Sequence, residues 1–553
     1  MQKSYRTRSR EHDELLTDLM LARGIEGTEA QENFLSPSFE RDSHDPFLLP
    51  DMEVAVERIL AALKDNELVC VWSDYDCDGI PGGVMLSQFL RELGLKVIHY
   101  IPHRHKEGYG LNEEGIEELA TQQVKLIITI DLGTTEHTSI AYAKQKGIDT
   151  IVTDHHVVQD LPPALAVLNP KRTDSKYPFD GLCGAGVAWK LVQAILVKHR
   201  PEGFAEGKEK WLLDLVGIAT LSDMVPLVGE NRMLAHFGLK VLRRNRRKGI
   251  ASLLSLLRIN PHTLTEDDIG FMVSPRINAA SRMEHPETAA KLLASESVEE
   301  AGGLARELNR INDERKGVVA SIVKDANHRL KENPVEGPVI VMGSIKWRPG
   351  VLGLVANKLM EAHQKPVFLW GREGGEVIKG SCRSDNGVSV VNLMGAARDV
   401  FIEFGGHHAS GGFSLREERV HELAGRLTAA YETMRASAEA PAEVWIEREL
   451  SLSEVSFASR DLMRLAPFGE GNRKPLFLFP HVSVTETRAF GKTGDHLEAM
   501  IGDGFDAPLS AVSFFSNPDS FGKPLTAGSR ADIVGHVERD WRGKPRVRIV
   551  DVI

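Results

Sequence analysis

Three carboxylates at alternate positions, Asp74, Asp76 and Asp78, lie in the segment Ser73-Asp74-Tyr75-Asp76-Cys77-Asp78-Gly79. With 31 Asp in the chain, chance predicts only about 0.1 such triple. Like charges this close repel one another unless a cation neutralises them. Matching groups follow three further apolar runs: Asp131 after KLIITI, Asp154-His155-His156 after DTIVT, and Asp223 after VGIATLS. Adjacent histidines mean little alone, because 20 His predict about 0.7 pairs by chance and His407-His408 is a second pair. Carboxylates mixed with neutral imidazole suit Mn²⁺, whereas Mg²⁺ prefers oxygen ligands. Two such ions about 3.5–4 Å apart would clamp a phosphoryl group and generate hydroxide at neutral pH. The plain alternative is a solvated, capped turn, which Asp and Gly favour.

These groups need elements that bring them to one place. Short apolar runs alternate with helical patterns: LVCVWS (68–73), a helix over 82–93, KVIHYI (96–101), a helix over 113–122, KLIITI (125–130), a helix over 136–146, DTIVT (149–153) and ALAVLN (164–169). This alternation predicts an α/β domain with a parallel sheet, whose ligands gather beyond the C-terminal strand ends. On that reading all four groups sit at strand ends, Asp223 included. Residues 1–50 read as an N-terminal extension, 51–305 as this first domain and 306–335 as a long polar connector helix. A second, smaller α/β unit follows over 336–438. After a soft linker at 436–443, period-two patterns over 443–553 predict a small β-barrel of the OB type, with a hairpin loop at Trp541-Arg542-Gly543-Lys544.

The composition fits such a multidomain globular protein: 553 residues, 42% hydrophobic and 26% charged. Collagen-like, disordered and coiled-coil classes are excluded. The longest apolar runs fall short of a membrane span, and the basic N-terminus lacks the apolar core of a secretory signal. Cys70, Cys77, Cys183 and Cys382 show neither disulfide nor zinc spacing, as expected for a reducing cytoplasm. With a net charge of −11, any nucleic-acid surface must be local.

DYDCDG, the Asp131 segment, TDHH and SDMVPL together resemble, in order, the four phosphoesterase motifs of the DHH family. SPRINAASR (274–282), WRPGVLGLVANKL (347–359), GSCRS (380–384), GGHHASGG (405–412) and APFGEGNRKPLF (466–477) extend the resemblance to RecJ-type exonucleases, across about residues 45–553. The resemblance implies a single-stranded-DNA-specific 5′→3′ exonuclease that releases mononucleotides with two Mn²⁺ or Mg²⁺ ions. It implies roles in DNA repair and recombination, and helicase or single-strand-binding protein partners. By resemblance Asp76 holds the first metal and Asp78 the second, Asp131 bridges them, and His155 and Asp223 complete the second. His156 contacts the scissile phosphate, with Asp154 behind it; Asp74 supports the ligands rather than binding metal. Arg104, Ser381 and Arg383 hold the 5′-phosphate.

Further expectations rest on residue type. Tyr109 could stack on a terminal base, Arg276 and Arg282 could contact phosphates, and the turn at Gly405-Gly406 could cradle an anion, with His407 its member for catalysis or substrate contact. A basic run at 243–248 could track the backbone or merely end a helix, and Arg542, Lys544, Arg546 and Arg548 near Trp541 could line a barrel surface for single strands. The chain departs from the family pattern at Trp72, where a metal-binding His often stands, at Pro81, Leu132, Ser274 and Ser281, and at Arg348. Two other functions stay open at this point: hydrolysis of short oligoribonucleotides or cyclic dinucleotides, and a non-catalytic DNA-binding scaffold.

Overall fold

β1 (Leu68–Ser73), β2 (Lys96–Tyr100), β3 (Val124–Ile130), β4 (Asp149–Thr153) and β5 (Ala166–Leu168) pair in parallel in the order β2-β1-β3-β4-β5. β1, β3 and β4 are buried along nearly their whole length, as strands covered on both faces must be. The computed structural model describes residues 4–104, 107–372, 377–385, 387–435, 443–491, 494–504, 507–540 and 542–553. Register aligns Ser73 with Ile130 and Ile130 with Thr153. The ladder runs one residue further: Asp74 N donates to Ile130 O, Asp131 N to Thr153 O and Asp154 N to Leu168 O. Three acidic residues therefore leave the sheet side by side.

α1 (Gly79–Leu93), α2 (Glu113–Thr121), α3 (His137–Gln145) and α4 (Gly184–Lys198) connect and cover these strands. The run ending in VGIATLS is not a strand. It forms α5 (Leu213–Ser222), and Asp223 is its C-cap. Eight consecutive buried residues hide the helical period there, since an apolar run without alternation fits a buried strand equally well. α6 (Lys248–Leu257) and α7 (Ser274–Met283) lead to α8 (Val298–Glu332). This 35-residue helix starts well before 306, because the Ser297 hydroxyl caps it by accepting from Glu300 N at 3.3 Å.

The second sheet contains β6 (Ile340–Ser344), β7 (Val367–Gly371), β8 (Val377–Arg383), β9 (Glu403–Gly406) and β10 (Ser410–Arg416), ordered β9-β10-β8-β7-β6. Only β6 and β7 pair in parallel. α9 (Pro349–His363) packs against β7 and β8. Both sheets belong to one compact unit, Pro46–Asp223 with Gly238–Pro441.

The other unit joins Met1–Asp45 and Met224–Phe237 to Ala442–Ile553. Its sheet orders β11 (Arg448–Glu449), β12 (Phe477–Phe490), β13 (His496–Gly502), β14 (Leu509–Ser513), β15 (Arg530–Arg539) and β16 (Pro545–Val552) as β11-β12-β13-β14-β16-β15, and β12 pairs with β15 to close a barrel. The first 45 residues are built into this unit rather than standing apart. Leu16 and Leu19 share a core with Leu462, Phe477 and Phe479, and Tyr5–Thr7 pairs with Val444–Ile446. Arg539 faces Pro545 across the expected hairpin, where Asp540 Oδ1 accepts from Arg542 N and Lys544 N. Trp541 and linker residues 436–442 lie outside the described residues. Among the described residues no helix is long and apolar enough to cross a membrane.

Candidate metal centre

The loop from β1 into α1 folds on its own carboxylate: Asp76 Oδ1 accepts from Asp78 N at 2.8 Å and Gly79 N at 3.1 Å. Asp78 is 1% exposed, and its two oxygens accept from Gly184 N at 2.6 Å and Ala185 N at 2.8 Å, in the first turn of α4. That turn sits so close that a Cβ on Gly184 would lie 2.5 Å from Asp131 Cβ. Asp131 itself leaves β3 with φ +63°, a left-handed conformation that Asp tolerates better than most residues.

His155 joins the acids. Its Nε2 lies 3.2 Å from Asp131 Oδ1, 3.6 Å from Asp223 Oδ2 and 3.9 Å from Asp78 Oδ2. Three donor sets result, each with its atoms within 4.8 Å: Asp78, His155 and Asp223; Asp74, Asp76 and Asp131; and Asp131, His155 and His156. The second includes Asp74, which is 5% exposed and directly beside Asp76 and Asp131. The Oδ1 atoms of Asp74 and Asp131 are buried with no hydrogen-bond partner among the described residues.

The electrostatics agree with the geometry. Burial, then the charge of Asp76, pushes Asp78 up to about 7. Burial, then Asp78 and Asp76, pushes Asp223 up to about 9. Asp131 and Asp74 are raised by burial and by neighbouring carboxylates. Burial drives His155 down to about 3, so its imidazole is neutral and able to ligate. Orphaned acceptors, mutual repulsion and a neutral imidazole form the donor set of a hard or borderline divalent cation.

Asp154 sits behind this cluster. Its Oδ1 accepts from His155 N at 2.7 Å and lies 2.7 Å from His156 Nδ1, and its Oδ2 accepts from Thr134 N at 3.0 Å. Burial opposes its ionisation, yet the hydrogen bond and charge of His156 hold it well below the usual carboxylate range. The same contact raises His156 against its burial. The His407 ring lies 6.4 Å from that of His156 at 14°, so the second sheet reaches this edge.

Trp72, by contrast, belongs to the core. It is fully buried, stacked on Tyr100 at 4.2 Å, and packs with Leu111 and Ile116. Leu132 joins the same cluster, and Pro81 is buried in the first turn of α1.

The chain matches the DHH family N-terminal domain over residues 68–220, the DHHA1 domain over 336–433 and the RecJ OB domain over 446–550. It is 32% identical to the single-stranded-DNA-specific exonuclease RecJ of Salmonella typhimurium, covering 91% of this chain and 90% of that protein. The chain belongs to the RecJ family. RecJ of Bacillus subtilis is 33% identical over 97% of this chain and 67% of its own length. The crystal structure of RecJ from Thermus thermophilus in complex with Mn²⁺ superposes with a TM-score of 0.79 at 26% identity, covering all of this chain and 79% of that one.

In this RecJ-family chain the second α/β unit brings arginines toward the sheet edge. Ser381 and Arg383 lie on β8, not in a loop, two residues apart and hence on one face. They face Gly353 of α9, where a Cβ would lie 2.8 Å from Arg383 Nη2 and 3.2 Å from Ser381 Oγ. Arg282 donates to Gly350 O at 3.1 Å; burial, then Arg104, Arg315 and Arg383, pushes its guanidinium down to about 9. Arg104 lies over the Tyr75 ring at 4.9 Å, and Tyr109 meets Tyr75 edge-on at 6.1 Å. Arg315 of α8 is the member that motif reading misses. Its Nε is buried without a partner among the described residues, and no spacing signal marks it.

Other expected positions are engaged elsewhere. Arg276 donates to Asn309 Oδ1 at 3.0 Å and Met272 O at 2.6 Å, tying α7 to α8 rather than joining the metal cluster. Gly405 and Gly406 pair with Gly412 and Gly411 at the end of β9, and His407 N donates to Ser410 O. Arg348 caps α9 and pairs with Glu314.

Proposed function

We propose that this chain is a single-stranded-DNA-specific exonuclease, hydrolysing phosphodiester bonds from a 5′ end and releasing mononucleotides. The observation that carries the reading is the cluster of Asp74, Asp76, Asp78, Asp131, His155 and Asp223, whose buried carboxylates repel without a cation. Divalent ions held there would lower the pKa of bound water and act as Lewis acids toward a phosphoryl oxygen. Mn²⁺ and Mg²⁺ both suit the donors, with the imidazole favouring Mn²⁺.

The chain's own residues position the substrate. Asp154 fixes His156 through Nδ1 and favours its protonated ring, whose Nε2–H can donate to a phosphoryl oxygen as negative charge builds there. His407 offers a second donor from the second sheet. Arg104, Arg282, Arg383 and Ser381 supply fork-shaped and hydroxyl donors for a terminal phosphate, which supports recognition of a 5′ end. The exposed Tyr109 offers a ring face to the terminal base, with Tyr75 packed behind it. Roles in DNA repair and recombination are part of the same proposal and rest on family membership.

The test uses the full chain, Mn²⁺, and single strands labelled at either end, with Asp131→Ala as control. Mononucleotides released first from the 5′-labelled end, and absent in the control, are the expected result. Release from the 3′ end would overturn the direction, and intact DNA would overturn the activity.

A further inference from the structure

A cavity of about 400 Å³ opens beside the second half of α1, at the start of α6. It shares no residue with the metal cluster, and Gln88 on its wall stands about 14 Å along α1 from Gly79, at about 1.5 Å per residue. The basic run 243–248 borders it, and the run divides into distinct tasks. Arg243 is tied to Leu264 O at 2.9 Å. Arg247 forms a fixed floor, with Nε and Nη2 on the two oxygens of Asp214 at 2.6 and 3.0 Å and Nη1 on Gln88 and Leu293 O. Its charge is therefore already matched.

Arg246 is different. It is exposed, forms no ion pair among the described residues, and lies over the Trp211 ring at 4.2 Å. Trp211 is itself 42% exposed, unusual for an indole. Lys248 adds a second cation beside it, with its amine on the carbonyl of Glu296 rather than on a carboxylate.

We propose that this cavity binds a nucleotide, its phosphate on Arg246 and Lys248 and its base on the Trp211 face. The volume lies within the range of small-ligand sites, about 300–1,000 Å³. A stacked arginine with unmatched charge beside an open indole offers both halves of a nucleotide a partner. The nucleotide could be free or part of a strand; the chemistry is shared and the test separates the sources. The inference does not depend on the catalytic reading, because the site lies outside the metal cluster.

Binding of dAMP, of a thymidine oligonucleotide and of inorganic phosphate to the full chain is measured by calorimetry in EDTA, which prevents cleavage. Arg246→Glu and Trp211→Leu are compared with the parent, and a thermal melt checks that both variants fold. Saturable dAMP binding weakened at least about tenfold in both variants, as loss of one base stack predicts, supports a free nucleotide. The same loss for the oligonucleotide alone supports a strand. Equal binding by parent and both variants, or phosphate binding as tightly as dAMP, overturns the proposal. So does the absence of saturable binding by either nucleotide.

Discussion

Neutralising one metal-site carboxylate should stabilise the metal-free protein while destroying its response to metal. Asp78 is the residue to change, because its surroundings are fully defined. Burial and the neighbouring Asp76 raise it from 3.8 to about 7. At about 1.4 kcal/mol per tenfold change in proton affinity, that rise opposes folding by about 4 kcal/mol once the group ionises. The sign follows from linkage. A carboxylate raised by folding binds more protons in the native state, so its cost is absent below pH 3.8 and complete above about 7. Asp78→Asn removes that cost, but its amide nitrogen then meets the Gly184 or Ala185 N–H as a donor facing a donor. One unmet buried group costs about 1–3 kcal/mol. The metal-free variant should therefore be about 1–3 kcal/mol more stable than the parent at pH 8, and the order should reverse near pH 4, where the parent's cost is gone and the unmet amide remains. Calorimetric melts in EDTA at both pH values, repeated with Mn²⁺, decide the matter. With Mn²⁺ the order should reverse, since only the parent keeps the full donor set. A metal-free variant less stable than the parent at pH 8, or one stabilised by Mn²⁺ as much as the parent, would refute the reasoning.

Three more predictions follow the same logic. Asp74→Asn should raise the Mn²⁺ concentration needed for half-maximal nuclease activity, because the buried Asp74 Oδ1 stands among the donors; an Mn²⁺ titration reads this directly. Asp154→Asn should leave the fold intact but lower nuclease activity about 10–100-fold, the usual cost of losing the partner that orients a metal-site histidine, as single-turnover assays would measure. Arg247→Leu should destabilise the larger unit by about 3–5 kcal/mol, because Asp214 is then buried without its counter-ion; calorimetric melts of the two proteins provide the check.

Much of this site is legible in the sequence, for a physical reason. Period and β-branching locate β1, β3 and β4, and parallel pairing in register then delivers Asp74, Asp131 and Asp154 to one edge without further information. Asp223 is legible as a residue but not as a position, because a wholly buried helix and a buried strand share one apolar pattern. Arg315 is not legible at all. It is one cation among many on a polar helix, and only the packing of α8 beside α7 places it near Arg282. Residue type alone does not separate a ligand from its support at Asp74, whose nearness to Asp76 and Asp131 emerges only in the fold.

The Trp72 substitution and the location of Asp74 form one arrangement. A residue in the body of a buried parallel strand is covered by helices on one face or the other, and Trp72 meets this demand with an indole stacked on Tyr100. A carboxylate one residue beyond the strand end has no such demand to satisfy. Its main chain is already paired with β3, so its side chain can face the cluster. The set of Asp74, Asp76 and Asp131 thus consists of carboxylates alone, with no imidazole from within β1. The imidazole enters from β4 instead, through His155, where Asp154 pins both adjacent histidine N–H groups. An all-carboxylate set beside a mixed set predicts two ions of unequal preference: the oxygen-only set should accept Mg²⁺ readily, whereas the set containing His155 should discriminate in favour of Mn²⁺.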